Sequence, residues 1–136
     1  MDAFDADVLI YAAAPGHPLG RRVRALFPDE PGSSAGVGSV LLLPEVLAKP
    51  ARDGANDELA ALAGLLSRLD LRPVDPVTAE VATTLAIEHR LRVADAVHLA
   101  TAVVAGADRF ITNNRRDFPT HIPEIAVTYP ERLADL

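Results

Sequence analysis

Cysteine is absent from this 136-residue chain. Disulfides and thiolate metal sites are thereby excluded, and a reducing, cytoplasmic setting is the simplest expectation. Tryptophan is absent too, and aromatics make up only 4%. That argues against a platform on which nucleic-acid bases stack. An excess of positive charge is also missing. The net charge is −6 and the pI about 5.1, whereas a protein that holds nucleic acid by bulk charge is basic. Any nucleic-acid role must therefore use local patches or bound metal ions. Long apolar runs are lacking as well, because Pro, Asp or Gly interrupts each one, so no stretch is expected to span a membrane. No basic segment precedes the first apolar run, and no signal peptide is expected.

What is present is an ordinary globular mixture, 49% hydrophobic and 24% charged, of a size that suits one domain over residues 1–136. A short buried strand is expected around Ala3 to Leu9. Leu19, Val23 and Leu26 have helical spacing, and the helix stops at Pro28 before the loop "DEPGSS". Ala35 to Gly38 reads as a short strand. Ser39 is a candidate cap for a helix that starts near Pro44 or kinks there. "DELAALAGLLSRLD" is amphipathic, and "LRPV" follows it as a strand candidate. Asp75 and Pro76 mark the start of the next helix. "ADAVHLATAVVAGA" is apolar almost all round, as a central helix is, and stops at Gly106. "DRFIT" and "IAVTYP" read as strands, with the loop or turn "NNRRDFP" between them. Strands alternating with helices predict an α/β fold with a mostly parallel sheet, whose sites lie at the carboxyl ends of its strands.

Three carboxylates sit in apolar company: Asp5 beside the first strand, Glu45 in "LLLPEVLA" and Asp95 in "RVADAVHLATAVV". Each alone has a bland explanation, as a turn cap, a snorkelling side chain and a helix cap respectively. His98, one turn after Asp95, reads as a core histidine. Together the acids present a charge problem. Two unit charges about 5 Å apart repel by roughly 3 kcal/mol at an effective dielectric of 20. Protons or hard cations relieve that, and Mg²⁺ and Mn²⁺ favour such oxygen donors. The "DRFIT" strand ends at Thr112, and a polar stretch, Asn113, Asn114, Arg115, Arg116 and Asp117, follows it. Its amides suit water or metal-ligand orientation and its arginines suit phosphate.

These stretches, "DADVLIYA", "SVLLLPEVL", "ADAVHLATA" and "DRFITNNRRDF" in this order, resemble the PIN-domain family, specifically its VapC-like toxins. The resemblance covers nearly the whole chain and implies a three-layer α/β/α sandwich with a mostly parallel central sheet. It further implies a metal-dependent endoribonuclease that uses one or two Mg²⁺ or Mn²⁺ ions and leaves 5′-phosphate and 3′-hydroxyl ends. Asp5, Glu45 and Asp95 fall on the family's metal-binding acids. Two positions depart from its pattern. Asp7 stands where relatives usually carry Asn or Ser. Asn114 stands where many carry a fourth acid, which Asp117 is expected to replace. Asp7, Thr112, Asn113 and Asn114 would then orient ligands or substrate, and Arg115 and Arg116 would meet RNA phosphate. Further basic candidates are Arg21, Arg22 and Arg24, with Lys49 and Arg52 ranking lower. The implied partners are RNA, a VapB-like antitoxin and a second copy of the chain, with no membrane.

Two rivals share parts of this pattern. A PIN module that binds without cutting is favoured by Asn114. A haloacid-dehalogenase-like phosphatase also begins with D-x-D, but Val8-Leu9-Ile10 replaces that family's Gly-Thr turn and its later Lys is not evident.

Overall fold

Asp2–Phe4 forms the central strand β1 of the computed structural model, which describes residues 1–30 and 32–134. Pro31, in the expected loop "DEPGSS", lies outside them. The other strands are β2 (Gly36–Ser39), β3 (Leu69–Arg72), β4 (Arg109–Ile111) and β5 (Ala126–Thr128). They form one sheet in the order β3-β2-β1-β4-β5, and every pairing is parallel. The helices are α1 (Ala6–Ala13), α2 (Pro18–Arg24), α3 (Leu42–Arg52), α4 (Asn56–Leu66), α5 (Pro76–His89) and α6 (Val93–Val104).

Alternation along the strands sorts the helices into two layers. Ala3, Val37, Phe110 and Val127 face one way and pack with Leu85 of α5 and Leu99 and Ala100 of α6. Phe4 and Ile111 face the other way and pack with Val8 and Leu9 of α1, Val23 of α2, Val46 of α3 and Leu62 of α4. The result is the expected α/β/α sandwich. α6 is its central helix, with every residue from Ala96 to Ala102 buried. Gly106, at φ 72°, stops it by taking the left-handed conformation that L side chains resist.

The opening apolar run corrects the sequence expectation. Strand β1 ends at Phe4, and Val8 to Ala12 belong to α1. Val8, Leu9 and Ala12 are buried while Ile10 is 41% exposed, a helical spacing that the short run concealed. Asp5 is the turning point between the two elements. Its backbone N–H still donates to Ile111 O at 3.0 Å, as a strand residue would, while its carboxylate accepts from Ala6 N–H at 2.8 Å and caps α1.

Ser39 also differs from its expected role. It ends β2, and its hydroxyl accepts from Leu41 N–H at 3.1 Å, but Leu41 occupies the cap position of α3. Pro44 is the third residue of that helix, where its missing N–H has no helical partner to lose. Asp75 caps α5 as expected, accepting from Thr78 N–H at 2.8 Å.

Candidate metal centre and active site

The chain runs from β1 to β2 and β3 on one side, then returns to place β4 on the other. The sheet therefore switches direction between β1 and β4, and their carboxyl ends open the crevice where such sheets place sites. Asp5 follows β1 directly and Thr112 follows β4. The Thr112 hydroxyl donates to Asp5 Oδ2 at 2.8 Å and accepts from Asn114 N–H at 3.1 Å. A buried relay thus joins the two strand ends.

Asp5 is 5% exposed. Burial drives its pKa up from the ordinary carboxylate value. Nearby His98 and the bonds from Thr112 and Ala6 oppose the rise, and Glu45 adds to it. Asp7, in the first turn of α1, accepts from Asn113 N–H at 3.0 Å through Oδ2, while its Oδ1 is buried without a partner. Burial, and then the charge of Asp5, push its pKa up to about 7. Asn113 has a buried carbonyl oxygen that also lacks a partner; its side-chain N–H reaches the Tyr11 hydroxyl at 3.4 Å.

Asp95 lies in the first turn of α6. Burial raises its pKa, and the charges of Asp5, Asp117 and Glu45 raise it further against the pull of His98. These couplings bring Asp5, Asp7, Glu45, Asp95 and Asp117 into one electrostatic neighbourhood, although they come from α1, α3, α6 and the loop after β4. Asp117 is clasped by Asn114. The Asn114 amide donates to Asp117 Oδ2 at 3.0 Å, and Asp117 N–H donates back to Asn114 Oδ1 at 3.3 Å. The residue at the departing position therefore holds the acid three places on.

His98 is buried in α6, as its reading as a core histidine expected, and it also borders this group. Its side chain is 1% exposed, and Nε2 lies 3.1 Å from Glu45 Oε2. The contact is out of line for a hydrogen bond, so both ring nitrogens are buried without an aligned partner. No pattern in the sequence pairs this histidine with α3.

The basic candidates are less available than the sequence implied. Arg115 lies 2.7 Å from Glu131 Oε1 and sits 4.6 Å over the Tyr129 ring. Arg22 donates to the Glu131 and Leu133 carbonyls, and Arg24 to the Ala12 carbonyl at 2.7 Å. These two brace neighbouring elements. Arg52 lies 3.4 Å from Asp53. Arg116 is exposed.

The donor set fits a hard divalent cation: carboxylates with excess negative charge, and buried oxygens of Asp7 and Asn113 that have no donor. The residues that would hold it are Asp5, Glu45, Asp95 and Asp117. Their spacing is open. Among the described residues, the trio whose ligand atoms all fall within 4.8 Å of one another is Glu88, His89 and Glu124, at the far end of α5. There His89 Nε2 contacts both Glu124 oxygens at 3.0 and 3.1 Å, an ion pair that accounts for the grouping. An open carboxylate crevice suits Mg²⁺ or Mn²⁺ that retains waters.

The PIN domain family profile matches residues 3–121. A comparison with curated proteins gives no match. Among solved structures, a toxin-antitoxin complex from Klebsiella pneumoniae is similar over 96% of this chain and 98% of that one, with 25% identity and a TM-score of 0.76. DNA-bound VapBC from Salmonella typhimurium is similar over 95% and 97%, with 21% identity and a TM-score of 0.72. VapBC2 from Rickettsia felis, bound to a DNA fragment from their promoter, matches over 94% and 97%, with 16% identity and a TM-score of 0.72. The last two speak to the fold alone.

Proposed function

This chain belongs to the PIN-domain family, and from that premise we propose that it is a metal-dependent endoribonuclease, the toxin of a toxin–antitoxin pair. The observation that carries this reading is the grouping of Asp5, Glu45 and Asp95 at the switch crevice, where each is coupled electrostatically to at least one other. Family membership removes the haloacid-dehalogenase alternative.

Asp5, Glu45 and Asp95 would hold Mg²⁺ or Mn²⁺, as one ion or two, with Asp117 as the fourth acid. Bound there, such an ion supplies Lewis acidity, acidifying water and offsetting negative charge at the phosphodiester. The protein's own groups position the reaction. The Thr112 hydroxyl fixes the Asp5 carboxylate, Asp7 pins the backbone at Asn113, and Asn114 clasps Asp117. Arg116 meets the RNA backbone from the rim. Arg115 can join it by exchanging an exposed ion pair that is worth little in water. The net reaction is hydrolysis that leaves 3′-hydroxyl and 5′-phosphate ends.

A VapB-like antitoxin is the proposed cognate partner, supported by the likeness to the Klebsiella pneumoniae toxin-antitoxin complex. Leu43 and Val93, 40% and 80% exposed in the first turns of α3 and α6, offer apolar surface for that partner or for a second copy. Among the described residues no helix is long and apolar enough to cross a membrane, and the lack of cysteine accords with a cytoplasmic setting.

The test is incubation of purified protein with a mixed RNA pool plus Mg²⁺ or Mn²⁺. Cleavage is expected, with a loss of about 100-fold or more in Asp5→Asn and Asp95→Asn. Asp117→Asn is expected to reduce it too, and unchanged activity there removes Asp117 from the site. If no RNA is cut while the cation still binds, the chain is a binding module and the nuclease reading fails.

A further inference from the structure

We propose that His98 is a positioning residue for Glu45, holding its carboxylate toward the acid crevice. This rests on the metal-centre reading above and adds a residue to it. Glu45 has the longest and most flexible side chain of the three core acids. Asp5 takes bonds from Ala6 and Thr112, and Asp95 has a short side chain on a buried helix. The Glu45 side chain has three rotatable torsions and is 33% exposed, so it has rotamer freedom to lose on binding a ligand.

The geometry supplies a restraint. The His98 side chain is 1% exposed, and its Nε2 stands 3.1 Å from Glu45 Oε2. Neither ring nitrogen has any other partner. A buried imidazole with no other polar contact is an expensive way to fill a core, and α6 supplies alanines and leucine on either side of it. His98 lies one turn after Asp95, so a single helix carries one core acid and sets an imidazole in electrostatic contact with another from α3. Partners behind a ligating group fix its orientation, and their loss typically weakens metal affinity by about 10–100-fold.

Two measurements test this. In metal-free protein, long-range ¹H–¹⁵N correlation reads the His98 ring nitrogens. Glu45→Gln is expected to move the Nε2 resonance, and an unmoved resonance overturns the contact. Calorimetric titration with Mn²⁺ then reads its consequence. His98→Leu is expected to weaken binding by about 10-fold, while His98→Gln, which keeps a side-chain N–H, is expected to restore most of it. In a Glu45→Gln background, His98→Leu is expected to add no further loss. Thermal melts confirm that each variant folds. Wild-type affinity in His98→Leu, or an undiminished loss in the Glu45→Gln background, overturns the positioning role. A wild type that takes up no Mn²⁺ contradicts the metal centre instead, and the nitrogen resonances still decide the His98 contact.

Discussion

Asp7 carries the clearest conflict at the scale of single residues. Its pKa stands at about 7, chiefly through burial and then the charge of Asp5, so the folded protein holds a proton that the unfolded chain releases near 3.8. In metal-free protein, the contribution of Asp7 to stability therefore falls as pH rises from about 4 to about 7, because its native form binds more protons over that window. The shift of about 3 units corresponds to an order-of-magnitude cost of ~4 kcal/mol above pH 7. Asp7→Asn keeps an oxygen to accept Asn113 N–H and removes the charge. It is expected to raise the melting temperature clearly at pH 8 and hardly at pH 4.5; an equal change at both would refute the assignment. The cost of acid in apolar segments singled out Asp5, Glu45 and Asp95 in the sequence, and the structure couples them electrostatically. His98 was not singled out in this way. A histidine on a buried helix looks like packing until α3 sets Glu45 against it, and that juxtaposition is tertiary.

Among elements, α1 and α2 approach closely at Gly20. Gly20 of α2 lies against the backbone of α1, where an added Cβ would stand 1.9 Å from the Tyr11 carbonyl oxygen. Backbone atoms there cannot give way as a flexible side chain would. Gly20→Ala is expected to destabilise by about 3 kcal/mol, read as a lower urea midpoint at unchanged slope. The α5 cap at Asp75 and the stop of α6 at Gly106 were readable because cap chemistry is local. The first strand was not. Val8 to Ala12 is too short an apolar run to tell strand from helix by pattern, and the turn at Asp5, whose N–H donates to Ile111 O while its carboxylate caps α1, shows where strand becomes helix. Parallel pairing was inferred from the alternation of strands and helices, whereas the order that puts β4 beside β1 depends on packing across the whole sheet.

For the whole molecule, the question is how an acidic protein handles a polyanion. With a net charge of −6 and Arg22, Arg24 and Arg68 bonded to backbone carbonyls, the proposed function requires a cation at the crevice. On that proposal the cation would also stabilise the fold, by binding the native acids and not the unfolded chain. At 100 times its dissociation constant, Mn²⁺ is expected to add about 2.7 kcal/mol, seen as a raised melting temperature in the wild type that Asp5→Asn abolishes. The most direct test is a crystal soaked in Mn²⁺ and read by anomalous difference. The account predicts a peak within coordination distance of the Asp5 and Asp95 carboxylates. A peak confined to Glu88, His89 and Glu124, or no peak at all, would contradict it.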